Sequence, residues 1–214
     1  MKNIGIFLAI LVLISPFNGR SEDEKASKVL RKVSSTYNQY KSIRANFQIS
    51  IYNRQTKSSF KQSGEVYIKD KMFRINMSEQ EIYCDKNTMY TFLPDQNEVQ
   101  ITNFDFKDSE LSPSELFTIY NKGFLNKYIS ETTDQGRRVH NIELTPINKT
   151  KSYFKVKIKI DKISNRVSEA KVFNKNGTIT SYKITQFKAN LPVKDAYFKF
   201  DKRTKPGVVE VDLR

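Results

Sequence analysis

Ile43-Arg44-Ala45-Asn46-Phe47-Gln48-Ile49-Ser50-Ile51 decides the fold. Ile43, Ala45, Phe47, Ile49 and Ile51 fall on one face of an extended chain, and Arg44, Asn46, Gln48 and Ser50 on the other. Side chains of a strand alternate with period two, so this is a strand with one buried and one wet face. The pattern recurs along the chain. A second strand is expected over Phe60–Lys69, with Gly64, Val66 and Ile68 on one face, and a third where Phe73, Ile75 and Met77 alternate with Arg74 and Asn76. Others are expected at Glu81–Asp85, Thr88–Leu93, Glu98–Asn103, Tyr128–Thr133, Arg138–Thr145, Tyr153–Asp161, Val167–Asn174 and Thr178–Lys188. Turn-rich links such as Asp85-Lys86-Asn87, Pro94-Asp95-Gln96-Asn97 and Asn176-Gly177 join them, which favours antiparallel pairing. So many strands in one sheet curl. The expected fold is mostly β with two or three helices: an incomplete, unclosed antiparallel β-barrel with a helical lid.

Two helices flank this series. Over Glu22–Lys41, Ala26, Val29, Leu30, Val33, Tyr37 and Tyr40 recur at three- and four-residue spacing, an amphipathic helix. The second is Leu111–Phe124, where Ser112, Pro113 and Glu115 form a start signal and Gly123 a stop. Leu116, Phe117, Ile119 and Tyr120 leave it little polar surface, so it must cover something apolar. Ahead of both, Lys2 and the apolar run Ile4–Ile14 read as a secretory signal peptide spanning residues 1–21, with cleavage after Ser21. One domain, 22–214, is expected to follow.

The 214 residues carry 37 Lys+Arg against 23 Asp+Glu, a net charge of +14. Such a field favours anionic partners. The lysines are dispersed, however, and Lys155, Lys157 and Lys159 form the wet face of one strand, so no nucleic-acid partner is expected. With a single cysteine, Cys84, no disulfide can form within the chain, and the core alone must stabilise an exported protein.

Catalytic chemistry finds little support. His140 is the only histidine and has no acid or nucleophile beside it in sequence. One His and one Cys make no zinc site. Seven glycines leave little room for a phosphate loop. No enzyme activity, cofactor or metal is expected. What abounds is aromatic side chains, 15 Phe and 11 Tyr, on a sheet whose curvature could enclose a ligand.

The chain resembles the LolA family of periplasmic outer-membrane lipoprotein carriers. The likeness runs through Ser42–Phe47, Gln62–Lys69 with Met72-Phe73-Arg74, Tyr90–Pro94 with Gln96–Val99, and the Ser-Pro-Ser-Glu-Leu-Phe helix. It continues in Ile142–Pro146, Asn176-Gly177-Thr178 and the ending Gly207–Arg214. The resemblance implies a monomeric periplasmic chaperone that shelters lipoprotein acyl chains in an apolar cavity. It implies an inner-membrane, ATP-driven release complex as donor and, in some bacteria, an outer-membrane receptor. On this reading Phe47, Ile49, Ile51, Val66, Ile68, Phe73, Ile75, Met77, Tyr90 and Phe92 line the cavity, and Leu116, Phe117, Ile119 and Tyr120 form the lid. A lipid or glycolipid carrier, or a lipoprotein-sensing regulatory module, stays open on the same fold. One departure stands out: family members place a lid-latching arginine after the strand lysine, and here Lys69 is followed by Asp70.

Overall fold

The computed structural model describes residues 19–104 and 123–214. Helix α1 (Gly19–Asn38) starts three residues before its expected position and ends three before it. Strands β1 (Ile43–Asn53), β2 (Ser59–Lys69), β3 (Met72–Met77), β4 (Glu81–Asp85), β5 (Thr88–Leu93) and β6 (Glu98–Asn103) follow. After the gap come β7 (Phe124–Asp134), β8 (Arg137–Pro146), β9 (Tyr153–Asp161), β10 (Val167–Asn174), β11 (Thr178–Ala189) and β12 (Val209–Asp212). The lid expected from Leu116, Phe117, Ile119 and Tyr120 lies outside the described residues. Phe124 belongs to no helix: it opens β7, opposite Pro146, directly after Gly123 at φ +91°.

Among the described residues the strands form one sheet of order β12-β6-β5-β4-β3-β2-β1-β11-β10-β9-β8-β7. It does not close, since β12 and β7 are its two edges. Strand β1 is the keel. It pairs with β2 along one side and with β11 along the other, so two antiparallel meanders meet on Ile43–Ile51. All pairings are antiparallel except one. β12, in the tail, lies parallel to β6, which departs from the all-antiparallel expectation.

Curvature has visible sources. The register of β1 on β11 shifts at Asn46/Phe47, and the Thr185 hydroxyl at the extra position donates to the Asn46 carbonyl at 3.1 Å. β7 shifts on β8 between Tyr128 and Ser130. Such bulges bend a strand and increase its twist.

The inner face reads as continuous rows across the sheet. One row runs Ile49, Tyr182, Ala170, Ile158, Ile142, Tyr128, from β1 through β11, β10, β9 and β8 to β7. Helix α1 lies over the β7 side of this face and buries Ala26, Val29, Leu30, Val33 and Tyr37 in the core. Its far end is pinned where Val167 N–H donates to the Tyr37 hydroxyl at 3.1 Å and the Tyr37 and Tyr40 rings meet Phe187. The C-terminal segment instead crosses the outer face, where Val208 and Phe200 close a second, smaller core with Phe92 and Val99.

Candidate functional site

The inner face of β1–β6 is the site that the expected cavity residues point to. Paired register builds it in three rows. The first is Ile43, Ile68, Phe73, Cys84, Met89, Thr102; the second is Ala45, Val66, Ile75, Ile82, Thr91, Gln100; the third is Phe47, Gly64, Met77. Phe47, Ile49, Val66, Ile68, Phe73, Ile75 and Met77 therefore share one apolar surface. Phe47, Val66, Phe73 and Ile75 are buried, while Ile49, Ile68 and Met77, with Ile82 and Met89, are only partly covered. Ile51 lies on the same face but at its rim, 37% exposed beside the 46% exposed Phe60.

Gly64 shapes this surface. A Cβ there would fall 2.6 Å from the Phe47 ring, 2.7 Å from Met77 and 2.9 Å from the Asn76 carbonyl. The bare backbone lets the Phe47 ring lie across the strand, a use of glycine for close approach rather than for a turn.

Tyr90 and Phe92 require a correction. The register puts Met89 and Thr91 on the inner face, so Tyr90 and Phe92 face outward. There they pack on Phe200, with ring centroids 5.9 Å and 6.0 Å away, beside Val99. The cause is the C-terminal segment. It gives β5 and β6 a second apolar layer to face, and their polarity inverts: Thr91, Gln100 and Thr102 turn inward instead. The Thr102 hydroxyl is buried with no hydrogen-bond partner among the described residues.

Two residue types that could suggest chemistry are buried. Burial pushes the Cys84 thiol up to about 11, so it stays protonated and unreactive. His140 is buried under α1, its Nδ1 2.9 Å from the Tyr128 hydroxyl. Burial pushes its imidazole below its ordinary value, against the raising effect of Glu131.

Asp70 is the left-handed residue (φ 54°) of the tight β2–β3 turn, where Lys69 pairs with Met72. Asp tolerates that conformation better than most residues, which is a local reason for its presence. Lys69 and Arg74 both face outward: Lys69 bonds Asp195 at 2.6 Å and Arg74 bonds Glu81 at 3.2 Å. Neither reaches the inner face.

A curved, unclosed sheet with a helix on one half of its apolar concavity defines an open β-barrel of the helix-covered kind. The chain belongs to the LolA family, the outer membrane lipoprotein carrier proteins, whose family model matches residues 38–201. Among solved structures, an uncharacterised conserved protein from Thermus thermophilus shares the fold at TM-score 0.59 and 11% identity, covering 88% of this chain and 99% of that one. A DUF1329 family protein from Desulfovibrio piger does so at TM-score 0.52 and 13% identity, covering 83% and 97%. A Vibrio parahaemolyticus domain provisionally assigned to outer membrane lipoprotein sorting gives TM-score 0.50 and 12% identity, covering 83% and 97%. No curated protein sequence matches the chain.

Proposed function

We propose that the protein is a non-enzymatic periplasmic carrier that shelters the acyl chains of lipoproteins on the inner face of β1–β5 and moves them towards the outer membrane. The observation that carries this reading is the partly covered apolar surface of Ile49, Ile68, Met77, Ile82 and Met89, in a chain of the lipoprotein-carrier family. A surface of that kind in a folded domain marks a binding site. The apolar segment Leu111–Tyr120 would serve as its lid, through Leu116, Phe117, Ile119 and Tyr120.

Magnitudes favour a sheltered, driven transfer. Three acyl chains hold roughly 45 methylenes, each worth about 0.8 kcal/mol on leaving water. Leaving them wet would therefore cost on the order of 30 kcal/mol. Spontaneous extraction through water would be correspondingly slow, which implies an energised donor, with an ATP-driven inner-membrane release complex as the expected partner. Release needs an acceptor at least as apolar, because an equilibrium shifts only through differential affinity. An outer-membrane receptor or the outer leaflet itself would supply it.

The test is mass spectrometry of what the protein holds when purified from the periplasm without detergent. Acylated polypeptides are expected. Free phospholipid or glycolipid in their place would overturn lipoprotein as cargo, and an empty protein that also fails to bind a fluorescent fatty acid would overturn the carrier altogether.

A further inference from the structure

On the outer face, opposite the acyl surface, a cleft of about 930 Å3 lies between β2–β4 and the C-terminal segment. Its lining is rich in tyrosine. The Tyr67 and Tyr197 rings meet edge to face at 4.8 Å, and the Arg74 guanidinium lies between Tyr83 and Tyr197, 4.4 Å and 4.5 Å from their centroids. Tyr197 sits on a short 3-10 turn, Asp195–Phe198, which the Lys69–Asp195 ion pair ties to β2.

The charges at the centre of the cleft cancel one another. The Glu81 carboxylate accepts from Lys205 at 2.6 Å, from Arg74 at 3.2 Å and from the Tyr83 hydroxyl. Burial alone would raise its pKa, but the bonds from Lys205 and Tyr83 outweigh that and hold it ionised. Asp201, also in the lining, is taken up by Arg203. Lys194 and Lys199 line the cleft too, are exposed, and form no ion pair among the described residues.

This layout selects a ligand class. An anion at the centre of the cleft would meet Glu81 and find the donors of Arg74 and Lys205 already engaged, which leaves Lys194 and Lys199 as its open cations. Lys194 and Lys199 bracket the Asp195–Phe198 turn that carries Tyr197, so the layout suits negative charges spread along a chain with an apolar group between them. We infer that the cleft binds a short acidic peptide segment, with an aromatic or aliphatic side chain seated on Tyr67 and Tyr197 and its carboxylates on Lys194 and Lys199. The site is separate from the acyl surface and would remain if the cargo proposed above were wrong.

The experiment is fluorescence anisotropy on the full chain, with a fluorescein-labelled peptide alternating glutamate and phenylalanine and a lysine–phenylalanine control. The acidic peptide is expected to bind, more weakly as salt rises, and the control to stay free. Lys194→Glu/Lys199→Glu should weaken binding by about tenfold, and Lys194→Ala/Lys199→Ala by less, with circular dichroism and fatty-acid binding unchanged. Tyr197→Ala should weaken it without altering the salt dependence. Equal binding of both peptides, or affinity indifferent to the lysine changes, would overturn the inference. So would phosphatidylglycerol vesicles that bind through these lysines when the acidic peptide does not.

Discussion

The two halves of the inner face are built by the same pattern and end differently. Ile158 and Ile49 belong to one row of the sheet, three strands apart. On the β7–β10 side, beneath or beside α1, Ile142, Leu144, Val156, Ile158 and Ile160 are at most 1% exposed. On the β1–β5 side Phe47, Val66, Phe73 and Ile75 are buried too, but Ile49, Ile68, Met77, Ile82 and Met89 keep part of their surface in solvent. One half is sealed by the chain's own helix and works as core. The other keeps apolar surface that a ligand can cover and uncover, which a permanently filled core could not offer.

Substitutions along that shared row should separate the two roles most sharply. Ile158→Ala should cost about 2–5 kcal/mol, because α1 and the neighbouring strands cannot collapse onto the gap. Urea titration reads this, and the folded fraction should still bind a fluorescent fatty acid. Ile49→Glu should do the reverse, lowering fatty-acid affinity by about tenfold or more while the fold persists, since its side chain can reach water. If Ile49→Glu unfolds the protein as thoroughly as Ile158→Ala destabilises it, the two halves are a single core and the distinction collapses.

Gly64→Ala tests the open half more finely. The added Cβ must displace the Phe47 ring and Met77, and the Asn76 carbonyl 2.9 Å away cannot swing aside. Phe47 is 1% exposed and has little room to yield. A loss of about 1–3 kcal/mol is expected, as for other overpacked sites. The double variant Phe47→Leu/Gly64→Ala should lose less than its two parts together, because it removes the ring that the methyl meets. Strict additivity would show that the ring does not depend on the bare strand.

How far the sequence revealed this site follows from which residues had a partner in sequence to define their face. β4, β5, β6, β9 and β10 were readable to the residue, because alternation and turn residues are local. Phe47, Val66 and Ile75 could be placed together since β1, β2 and β3 follow one another through short turns. Tyr90 and Phe92 could not. Alternation tells the two faces of a strand apart but not which one is inner, and a one-residue choice inverts all of them. The deciding element, Phe200 and Val208, lies a hundred residues further on in an irregular segment whose packing has no periodic signature. The parallel β12 and the tyrosine-lined cleft were hidden for the same reason. Both depend on where the tail returns.

The smallest expected effect lies on the sealed side, at His140. Its imidazole faces Tyr128 and Glu131 from β7, Lys162 beyond β9, and Lys25 and Lys32 from α1. Burial holds its pKa below the ordinary value of 6.5, Glu131 opposes this, and the lysines reinforce it. The folded state thus binds a proton more weakly than the unfolded chain. Stability from this group is complete above the unfolded pKa and falls as the pH drops through 6.5 towards the lowered folded value, at no more than about 1.4 kcal/mol per pH unit. Glu131 is itself held below its ordinary range by the Lys162 hydrogen bond, so its own loss comes at more acidic pH. Melting temperatures of the native protein should therefore decline as the pH falls below about 6.5, and His140→Gln should flatten that decline. Hydrogen exchange should place the loosening in α1, β7 and β8, with the β1–β5 half unmoved. An equal decline in His140→Gln, or loosening centred on β2–β4, would show that the acid sensitivity arises elsewhere and that the sealed half is indifferent to its buried imidazole.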